Sequence, residues 1–362
     1  MKRRAFLQSA GLATAAVSIA SPALAQTTPE IKWKLASSFP TNLEAIWGGA
    51  QTFAEAVRQQ SDGRFIIEIF PAGGLVGALD VFEATQDGRV DCAQTALHYF
   101  WGKEPALVFA TGVPFGMNAR EQNAFFRHGG GVDLVNEVLV DHKLVALPIG
   151  NTGCQMGGWF RKELRSANDL RGLKFRISGF AAKVLQTLGV EPKAVGRSDI
   201  SASLASGALN AAAWVSPFDD EKLDLVKAAP NYYYPGWFQP NMAMHLIINA
   251  AKWNELPKAY QAILRSAADT ANIDVQAKYD AANPPALRRL AESGAKLQAF
   301  PADVMDAFWQ ASEKVYRETA AADAKFQRVH NAYMDFRNDQ YLWWQVAEYP
   351  YDNYMIRQRA KG

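Results

Sequence analysis

The 362-residue sequence predicts an α/β protein with two lobes, each built on a sheet covered by helices. The first observation is the alternation of strand-like and helix-like segments between residues 31 and 150. The second is that a similar alternation begins again at Asn151. The third is length, because a single hydrophobic core stops growing at roughly 250 to 300 residues. Lobes joined by more than one crossing of the chain leave a cleft between them, and such clefts bind small ligands.

The first alternation gives the elements of the first lobe. Apolar runs that end at Gly or Pro predict strands, and apolar residues three and four apart predict helices. Glycines at 129–131 interrupt the last of these helices. The predicted strands are 31–37, 64–70, 89–96 and 144–150, and the predicted helices are 42–61, 78–88 and 118–141.

The second alternation gives the elements of the second lobe and a helical C-terminal part. The segment YYYPGWFQP, residues 232–240, is rich in Pro and Gly and predicts a crossing between lobes rather than a regular element. A long helix over 257–293 is expected to be interrupted at 283–285 by Asn-Pro-Pro. The remaining predicted strands are 154–160, 173–178, 191–195, 211–215, 242–249 and 295–300, and the remaining helices are 180–188, 199–207 and 302 to the end.

These elements suggest domain boundaries. The first lobe is expected to comprise residues 26–150 and about 240–300. The second lobe is expected to comprise residues 151–239 and about 301–330, with connecting helices. An aromatic-rich C-terminal helix is expected over 331–362.

The first 25 residues predict an export signal. Arg3 and Arg4 stand side by side, a weakly apolar run follows over residues 10–20, and small residues at 23–25 offer a cleavage site. The apolar run is well under the roughly 20 residues that a membrane-spanning helix needs. We therefore expect a twin-arginine signal peptide, cleavage near Gln26 and a periplasmic protein.

Charge and cysteine content exclude some partners. Loss of the signal removes three basic residues and leaves 35 basic against 36 acidic residues, a net charge of about −1. This balance implies no nucleic-acid or anionic-lipid partner. Cys92 and Cys154 could pair in an oxidising compartment. Both lie in apolar, strand-like segments, however, and we expect buried free thiols.

Motifs of catalysis are missing from the sequence. It contains no Walker loop, no GxGxxG after a strand, no GxSxG and no HExxH. The acids of FDDEKLDL, residues 218–225, are expected in the first turn of a helix, where the helix dipole favours negative charge, rather than at a metal. The five histidines lack metal-ligand spacing and are expected to be packing or surface residues: His98, His128, His142, His245 and His330. The sequence thus predicts a binding protein with no catalytic residue, cofactor or metal.

Aromatic, amide and basic side chains collect at predicted strand ends and lobe crossings. Ligands bind at strand ends in open α/β sheets, although any single aromatic residue is more often part of a core. In GLKFRISGF, residues 172–180, Phe175 and Ile177 share one strand face and Arg176 the other. Arg176 is either an ordinary half-solvated residue or an anion grip. The candidate ligand-binding residues are Tyr99, Phe100, Trp101, Asn151, Gln155, Arg176, Phe180, Trp214, Trp237 and Gln239.

Six segments along the chain carry a resemblance: WKLASSFP, YFWGKEP, GNTGCQMGGWFR, GLKFRISGF, AWVSPFDDEKL and YYYPGWF. Together they resemble the DctP-type extracytoplasmic solute receptors of TRAP transporters. The similarity is greatest to the branch that binds 2-oxo acids such as pyruvate and extends over essentially the whole mature chain. It implies two α/β lobes with mixed sheets, a hinge and long helical connections, and a ligand carboxylate held by the arginine of GLKxR, here Arg176. Gly179 then lets the backbone turn tightly beside the ligand.

The same resemblance implies a cation between ligand and protein, and here the sequence departs from the family. The family holds the cation with a glutamine of NTGxQ, an acid before a tryptophan, the carbonyl of that tryptophan and an acid after GWW. Gln155 and Trp214 match this pattern, but Ala213 and Gln239 stand where the acids should be. Because hard cations prefer carboxylates among six or more oxygen ligands, we expect no calcium site, and a sodium site is left open.

The predicted ligand is a small monocarboxylate. A 2-oxo acid fits the resemblance, and so does an acid with an N–H donor, such as pyroglutamate, to which Gln155 or Gln239 could offer an acceptor. With Arg176 as the one clear cleft cation, dicarboxylates are disfavoured. The implied partners are the small and large membrane subunits of a TRAP permease. The alternative is a sensing module that is coupled to a signalling receptor.

Aromatic residues concentrate near the C-terminus and need burial against the lobes or a partner. Some relatives in the family dimerise by exchanging a C-terminal helix, so a homodimer is expected. The residues are Tyr333, Phe336, Tyr341, Trp343, Trp344, Tyr349, Tyr351 and Tyr354.

Overall fold

Two mixed sheets organise the chain in the computed structural model, which describes residues 29–361. The first sheet has the strand order β2-β1-β3-β10-β4. Within it β1 pairs in parallel with β2 and β3, whereas β10 runs antiparallel to β3 and β4. We call this sheet and its helices the first lobe. Its strands are β1 (Ile31–Ser37), β2 (Phe65–Phe70), β3 (Cys92–Thr95), β4 (Leu144–Asn151) and β10 (Ala243–Asn249).

The second sheet has six short strands in the order β11-β9-β5-β8-β6-β7. Here β6 is parallel to β7 and β8, and β5 is antiparallel to β8 and β9. We call this sheet and its helices the second lobe. Its strands are β5 (Gly158–Phe160), β6 (Lys174–Arg176), β7 (Glu191–Lys193), β8 (Ala211–Ala212), β9 (Asn231–Tyr234) and β11 (Lys296–Ala299).

Helices cover these sheets and extend beyond them. A capping box at Asn118 and Glu121 starts α4, and glycines separate α4 from α5 as the sequence predicts. The helices of the first lobe and its connections are α1 (Glu44–Gln60), α2 (Val81–Gln86), α3 (Val108–Thr111), α4 (Ala119–His128), α5 (Gly131–Leu139) and α9 (Ala250–Glu255). The others are α6 (Gly179–Gln186), α7 (Ile200–Ser206), α8 (Pro217–Asp220), α10 (Lys258–Glu292), α11 (Ala302–Ala322), α12 (Ala324–Trp344) and α13 (Glu348–Arg359). None of the helices in residues 29–361 is long and apolar enough to cross a membrane.

The chain crosses between the sheets three times. The segment from β4 to β5 and the segment from β9 to β10 are two crossings, and α10 is the third. At 35 residues α10 is about 50 Å long, and it packs against α1 and β4 in the first lobe and α8 in the second. An apolar cluster at this junction contains Phe39 and Leu43 of the first lobe, Val215 of the second and Tyr279 of α10. The junction is therefore a packed joint.

The predicted break in α10 was wrong, because Pro284 and Pro285 lie inside a continuous helix. An interior proline costs about 3 kcal/mol in an isolated helix. Here buried residues on both sides of the prolines, including Tyr279 and Leu290, anchor the helix in two different apolar clusters. Packing against both lobes offsets the local penalty.

Four further expectations need correction. Residues 231–234 form β9, paired on both sides with β5 and β11, although the Pro-Gly content around them indicated an irregular crossing. Strand β11 joins the second sheet, whereas residues up to about 300 were expected in the first lobe. The predicted strands 154–160 and 211–215 shrink to 158–160 and 211–212, and the freed residues form loops at the junction. The C-terminal helix expected over 331–362 is also wrong, because α12 begins before residue 331 and a turn at residues 345–347 separates it from α13. The remaining domain boundaries stay a prediction.

Both cysteines are free, as expected. Cys92 is buried in β3, but Cys154 is exposed, so the prediction of a buried thiol there was wrong. Cys154 follows the end of β4 in a crossing loop rather than lying within a strand, which explains its exposure. The predicted signal peptide lies outside the described residues.

Candidate functional site

Arg176 stands at the end of β6 with its guanidinium directed by neighbouring backbone groups. Nη1 donates to the carbonyl oxygen of Ala213 at 2.7 Å, and Nε donates to that of Val195 at 3.3 Å. Cζ lies 4.9 Å from the centre of the Trp214 ring. Phe175, the preceding residue, is buried, so the alternation in the sequence places Arg176 on the opposite face. The guanidinium is thus fixed in position.

No carboxylate of residues 29–361 forms an ion pair with Arg176. Burial lowers the pKa of Arg176, while the nearby Tyr99 and Asp220 act in the opposite direction. Arginine stays protonated in proteins despite such shifts. A fixed, half-buried cation without a carboxylate partner favours binding of an anion.

Arg176 faces a cavity of about 120 Å³ at the junction of the two lobes. This volume is small compared with the roughly 300–1000 Å³ of drug-sized sites and suits a small acid. The second lobe and the crossing loops supply Arg176, Ile177, Ser178, Phe180, Ala181, Ala213, Trp214, Val215, Gln155, Phe238, Gln239 and Met242. The first lobe supplies Phe39, Leu43, Ile46, His98, Tyr99, Gly112 and Pro114.

Six of the ten candidate residues line this cavity. They are Tyr99, Gln155, Arg176, Phe180, Trp214 and Gln239. They come from five different segments of the chain, and the fold brings them together as the strand-end rule predicts.

The other four candidates do not line the cavity. Asn151 is buried at the end of β4, where its side chain donates to Asn241 Oδ1 at 3.0 Å and accepts from the amide of Gly153 at 2.9 Å. It therefore holds two crossing segments together. Phe100, Trp101 and Trp237 pack against other aromatic rings, those of Phe82, Phe180 and Phe308 respectively.

Gly179 shapes the turn after Arg176. Its φ of +67° lies in the left-handed region that favours glycine, in agreement with the tight turn expected there. A Cβ at this position would lie 3.3 Å from Cδ2 of His98, so the turn closely approaches the first lobe.

Sequence reasoning missed two kinds of cavity residue. His98 lines the cavity although every histidine was expected to be a packing or surface residue. The signal was its position, directly after a strand end and beside the candidate Tyr99. Phe39, Leu43 and Ile46 also line the cavity, and nothing distinguishes their side chains from ordinary core residues in the sequence.

Three buried polar atoms of cavity residues have no hydrogen-bond partner: His98 Nδ1, Gln155 Oε1 and Trp214 Nε1. The amide nitrogen of Gln155 makes only a weak contact with Met242 Sδ at 3.4 Å. Buried polar groups are nearly always paired in folded proteins, and an unpaired one costs about 1–3 kcal/mol. A polar ligand would pair these groups.

Asp219 and Asp220 form a buried acidic pair behind the cavity, in the first turn of α8 as the sequence predicts. Asp220 accepts hydrogen bonds from Trp159 Nε1 at 2.9 Å, Tyr232 Oη at 2.8 Å and the amide of Val215 at 3.0 Å. Burial raises the pKa of Asp219 to about 6 and that of Asp220 to about 7. These bonds fix the loop that carries Trp214 to the cavity.

The cavity does not fit a divalent cation. None of the described residues that line it is Asp or Glu. Ala213 and Gln239 both lie at the cavity wall, so the two acids expected in the family's cation site are absent from the place where they would act. The amide oxygens of Gln155 and Gln239 with backbone carbonyls, and no carboxylate, are a poor set for calcium, which takes 6–8 oxygens and usually several carboxylates.

A family comparison identifies the chain. Residues 36–323 match the DctP model, described as bacterial extracellular solute-binding protein, family 7. A monocarboxylate 2-oxoacid-binding periplasmic protein from Nostoc sp. is 41% identical over 360 residues, which cover 98% of this chain and 99% of that protein.

Two solved structures show the same fold. A TRAP transporter solute-binding protein from Bordetella bronchiseptica is 39% identical with a TM-score of 0.88, and the match covers 92% of this chain and 99% of that one. It is described as a dimer of mixed occupancy with copurified calcium and picolinate. A TRAP periplasmic solute-binding protein from Colwellia psychrerythraea, with bound calcium and pyruvate, is 33% identical with a TM-score of 0.87, covering 90% of this chain and 99% of that one. The protein therefore belongs to the DctP family, the two-lobed periplasmic solute receptors of TRAP transporters, which are not enzymes.

Proposed function

We propose that this receptor captures a small monocarboxylate, foremost a 2-oxo acid, with Arg176 as the carboxylate clamp. The observation that carries the proposal is the guanidinium of Arg176, which backbone carbonyls hold in place and which has no carboxylate partner among residues 29–361. It stands at a small cavity whose described lining contains no carboxylate. A bidentate bond to a carboxylate neutralises this charge in a site with little water. The 2-oxo acid class is supported by the Nostoc and Colwellia proteins. The receptor would then deliver the acid to the two membrane subunits of its permease.

Calorimetry with pyruvate tests the clamp. We expect one site per chain, and Arg176→Gln should cost about 3–5 kcal/mol, several hundredfold or more in affinity, because the ligand charge stays buried without a partner. Arg176→Lys should retain only part of the wild-type affinity for pyruvate, since an ammonium lacks the planar pair of donors of a guanidinium. Arg161→Gln is the matched control, because Arg161 is exposed and outside the cavity. Unchanged pyruvate binding by Arg176→Gln would refute the proposal.

A second ligand class is favoured by the unpaired Gln155 Oε1. An acid that carries its own N–H donor, such as pyroglutamate, would satisfy this acceptor while its carboxylate occupies Arg176. Competition between pyruvate and pyroglutamate decides the order of affinity. If pyroglutamate binds more tightly, Gln155→Met should weaken it more than it weakens pyruvate.

We further propose that the acid binds without a divalent cation. The support is the donor set, in which Ala213 and Gln239 replace the acids expected in the family. Pyruvate affinity should be equal, within twofold, in buffers with EDTA and with millimolar calcium. Stoichiometric calcium in the purified complex, together with loss of binding in EDTA, would contradict this.

The C-terminal segment supports a homodimer. Large apolar side chains of α12, α13 and their junction are exposed, and no residue of α13 is buried. So many exposed large apolar side chains in one segment are typical of an interface. Sedimentation at tens of micromolar should show a dimer, and a chain with Trp343→Ser and Tyr354→Ser should be a monomer. The exposed residues are Tyr341, Leu342, Trp343, Val346, Tyr349, Tyr351, Tyr354, Met355 and Ile356.

A further inference from the structure

His98 and Tyr99 are the polar side chains that the first lobe presents to the cavity, among the described residues that line it. The other first-lobe contributions are apolar or lack a side-chain polar group: Phe39, Leu43, Ile46, Gly112 and Pro114. A receptor whose closed form is stabilised by ligand must bind that ligand from both lobes. Arg176 provides the contact from the second lobe, so the polar contact from the first lobe falls to His98 or Tyr99.

His98 is held opposite the strand end that carries Arg176. It lies in a 3₁₀ turn, Leu97–Phe100, one residue after β3, and its backbone amide donates to Thr111 Oγ1 at 3.1 Å. Its ring centre is 4.5 Å from that of Tyr99. The tight turn at Gly179 approaches its Cδ2 from the second lobe. The imidazole thus lies where the two lobes meet.

The imidazole has unused hydrogen-bonding capacity. Nδ1 is buried and has no partner in the structure. Burial also lowers the pKa of His98 to about 4, so the ring is neutral near pH 7 and offers one donor and one acceptor. A polar atom left unpaired at a binding cavity is a group that the ligand can satisfy.

We propose that His98 is a specificity-determining residue, which hydrogen-bonds the polar substituent at carbon 2 of the bound acid while Arg176 holds the carboxylate. For a 2-oxo acid the ring nitrogen that faces the ligand carries the proton and donates it in a hydrogen bond to the oxo oxygen. This inference rests on the proposed capture of a monocarboxylate. It assigns to the first lobe the discrimination between a 2-substituted acid and a plain alkyl acid.

The test compares two ligands of equal carbon number, pyruvate and propionate, by calorimetry on the mature protein. Propionate lacks the oxo oxygen, so the ratio of the two affinities measures recognition of that atom. His98→Phe should lower the affinity for pyruvate about tenfold and leave that for propionate within twofold. His98→Asn, which keeps a donor near the Nδ1 position, should restore part of the ratio. His128→Phe is the control, because His128 is exposed and outside the cavity.

The outcomes separate the inference from the function on which it rests. If His98→Phe weakens both acids equally, or weakens neither, His98 only packs and the inference is wrong. If the wild-type protein binds no monocarboxylate, the proposed function fails and the assignment of His98 fails with it. Equal melting temperatures of the variants and the wild type show that the ratio reports recognition rather than folding.

Discussion

Lys222 of the second lobe and Glu44 of the first form an ion pair, with Nζ 3.1 Å from Oε1. Lys222 also lies 4.1 Å from the centre of the Phe218 ring, and its side chain is only 25% exposed. Glu44 begins α1, whose first turn includes cavity-lining Ile46. The pair therefore ties the lobes together next to the candidate binding site.

Glu44→Gln should weaken ligand binding modestly by removing this tie from the closed form. Because Glu44 is 58% exposed, the pair contributes at most about 1 kcal/mol, which corresponds to a loss of up to about fivefold in affinity. The loss should be larger at 50 mM than at 500 mM NaCl, since salt screens exposed charges. The control is Glu255→Gln, which breaks a pair with Lys252 inside the first lobe. An affinity that is independent of both mutation and salt contradicts the assignment.

Gly236→Ala should disturb the crossing loops. A Cβ at this position would overlap the carbonyl oxygen of Gln155, a backbone atom that cannot simply rotate away. We expect a loss of about 1–3 kcal/mol in the free energy of unfolding and weaker ligand binding, since Gln155 lines the cavity. Urea unfolding and calorimetry measure the two effects. Gly102→Ala, where a Cβ meets nothing within 4 Å, should change neither.

His245 should make the fold less stable in acid. Burial lowers its pKa from 6.5 to about 3 in the folded protein, so the unfolded chain binds the extra proton as the pH falls below 6.5. The folded state loses about 1.4 kcal/mol for each pH unit below that value. As the pH falls from 7 to 5, the free energy of unfolding of His245→Gln should therefore rise by about 2 kcal/mol relative to that of the wild type, as measured by urea unfolding. His128→Gln, at an exposed position, is the control, and parallel pH profiles of wild type and His245→Gln would refute the prediction.

Asp220 should make the fold less stable as the pH rises, the opposite of the effect of His245. Burial raises its pKa from 3.8 to about 7, so the folded protein holds a proton that the unfolded chain has already released. The stability from this group is fully present below pH 4 and is lost as the pH rises through 7. The free energy of unfolding of Asp220→Asn should therefore improve relative to wild type between pH 5 and pH 8. The control is Asp91→Asn, which lies outside the acidic pair. A difference that is constant with pH would mean that Asp220 is ionised throughout.

The local pattern of the sequence is enough to predict which strand face Arg176 takes and the turn that follows it, whereas its role as an anion grip came from the family resemblance. Alternation around Phe175 decides which face the arginine takes, and Gly179 adopts the positive φ that its position requires. The strand-end reasoning did not hold for Asn151, which ends β4 but does not line the cavity. Its side chain bonds to Asn241, which is distant in the sequence, and to the backbone amide of Gly153. The sequence pattern does not show which of two strand ends faces the cleft.

Tertiary packing decides what the sequence could not show. Pro284 and Pro285 indicate a helix end by every local rule, yet contacts with both lobes keep α10 continuous. Strand β9 likewise exists because β5 and β11 pair with it on either side. His98 enters the cavity for the same kind of reason, since a segment far along the chain, at Gly179, forms the facing wall.

The two prolines in α10 have a mechanical consequence. Neither proline can donate a backbone N–H, so one turn of this long helix lacks two of the backbone hydrogen bonds that stiffen the neighbouring turns. The helix packs against the first lobe before that turn and against the second lobe after it. Any parting of the two lobes should therefore concentrate bending at this weakened turn, while the helix on each side of it moves as a stiff lever.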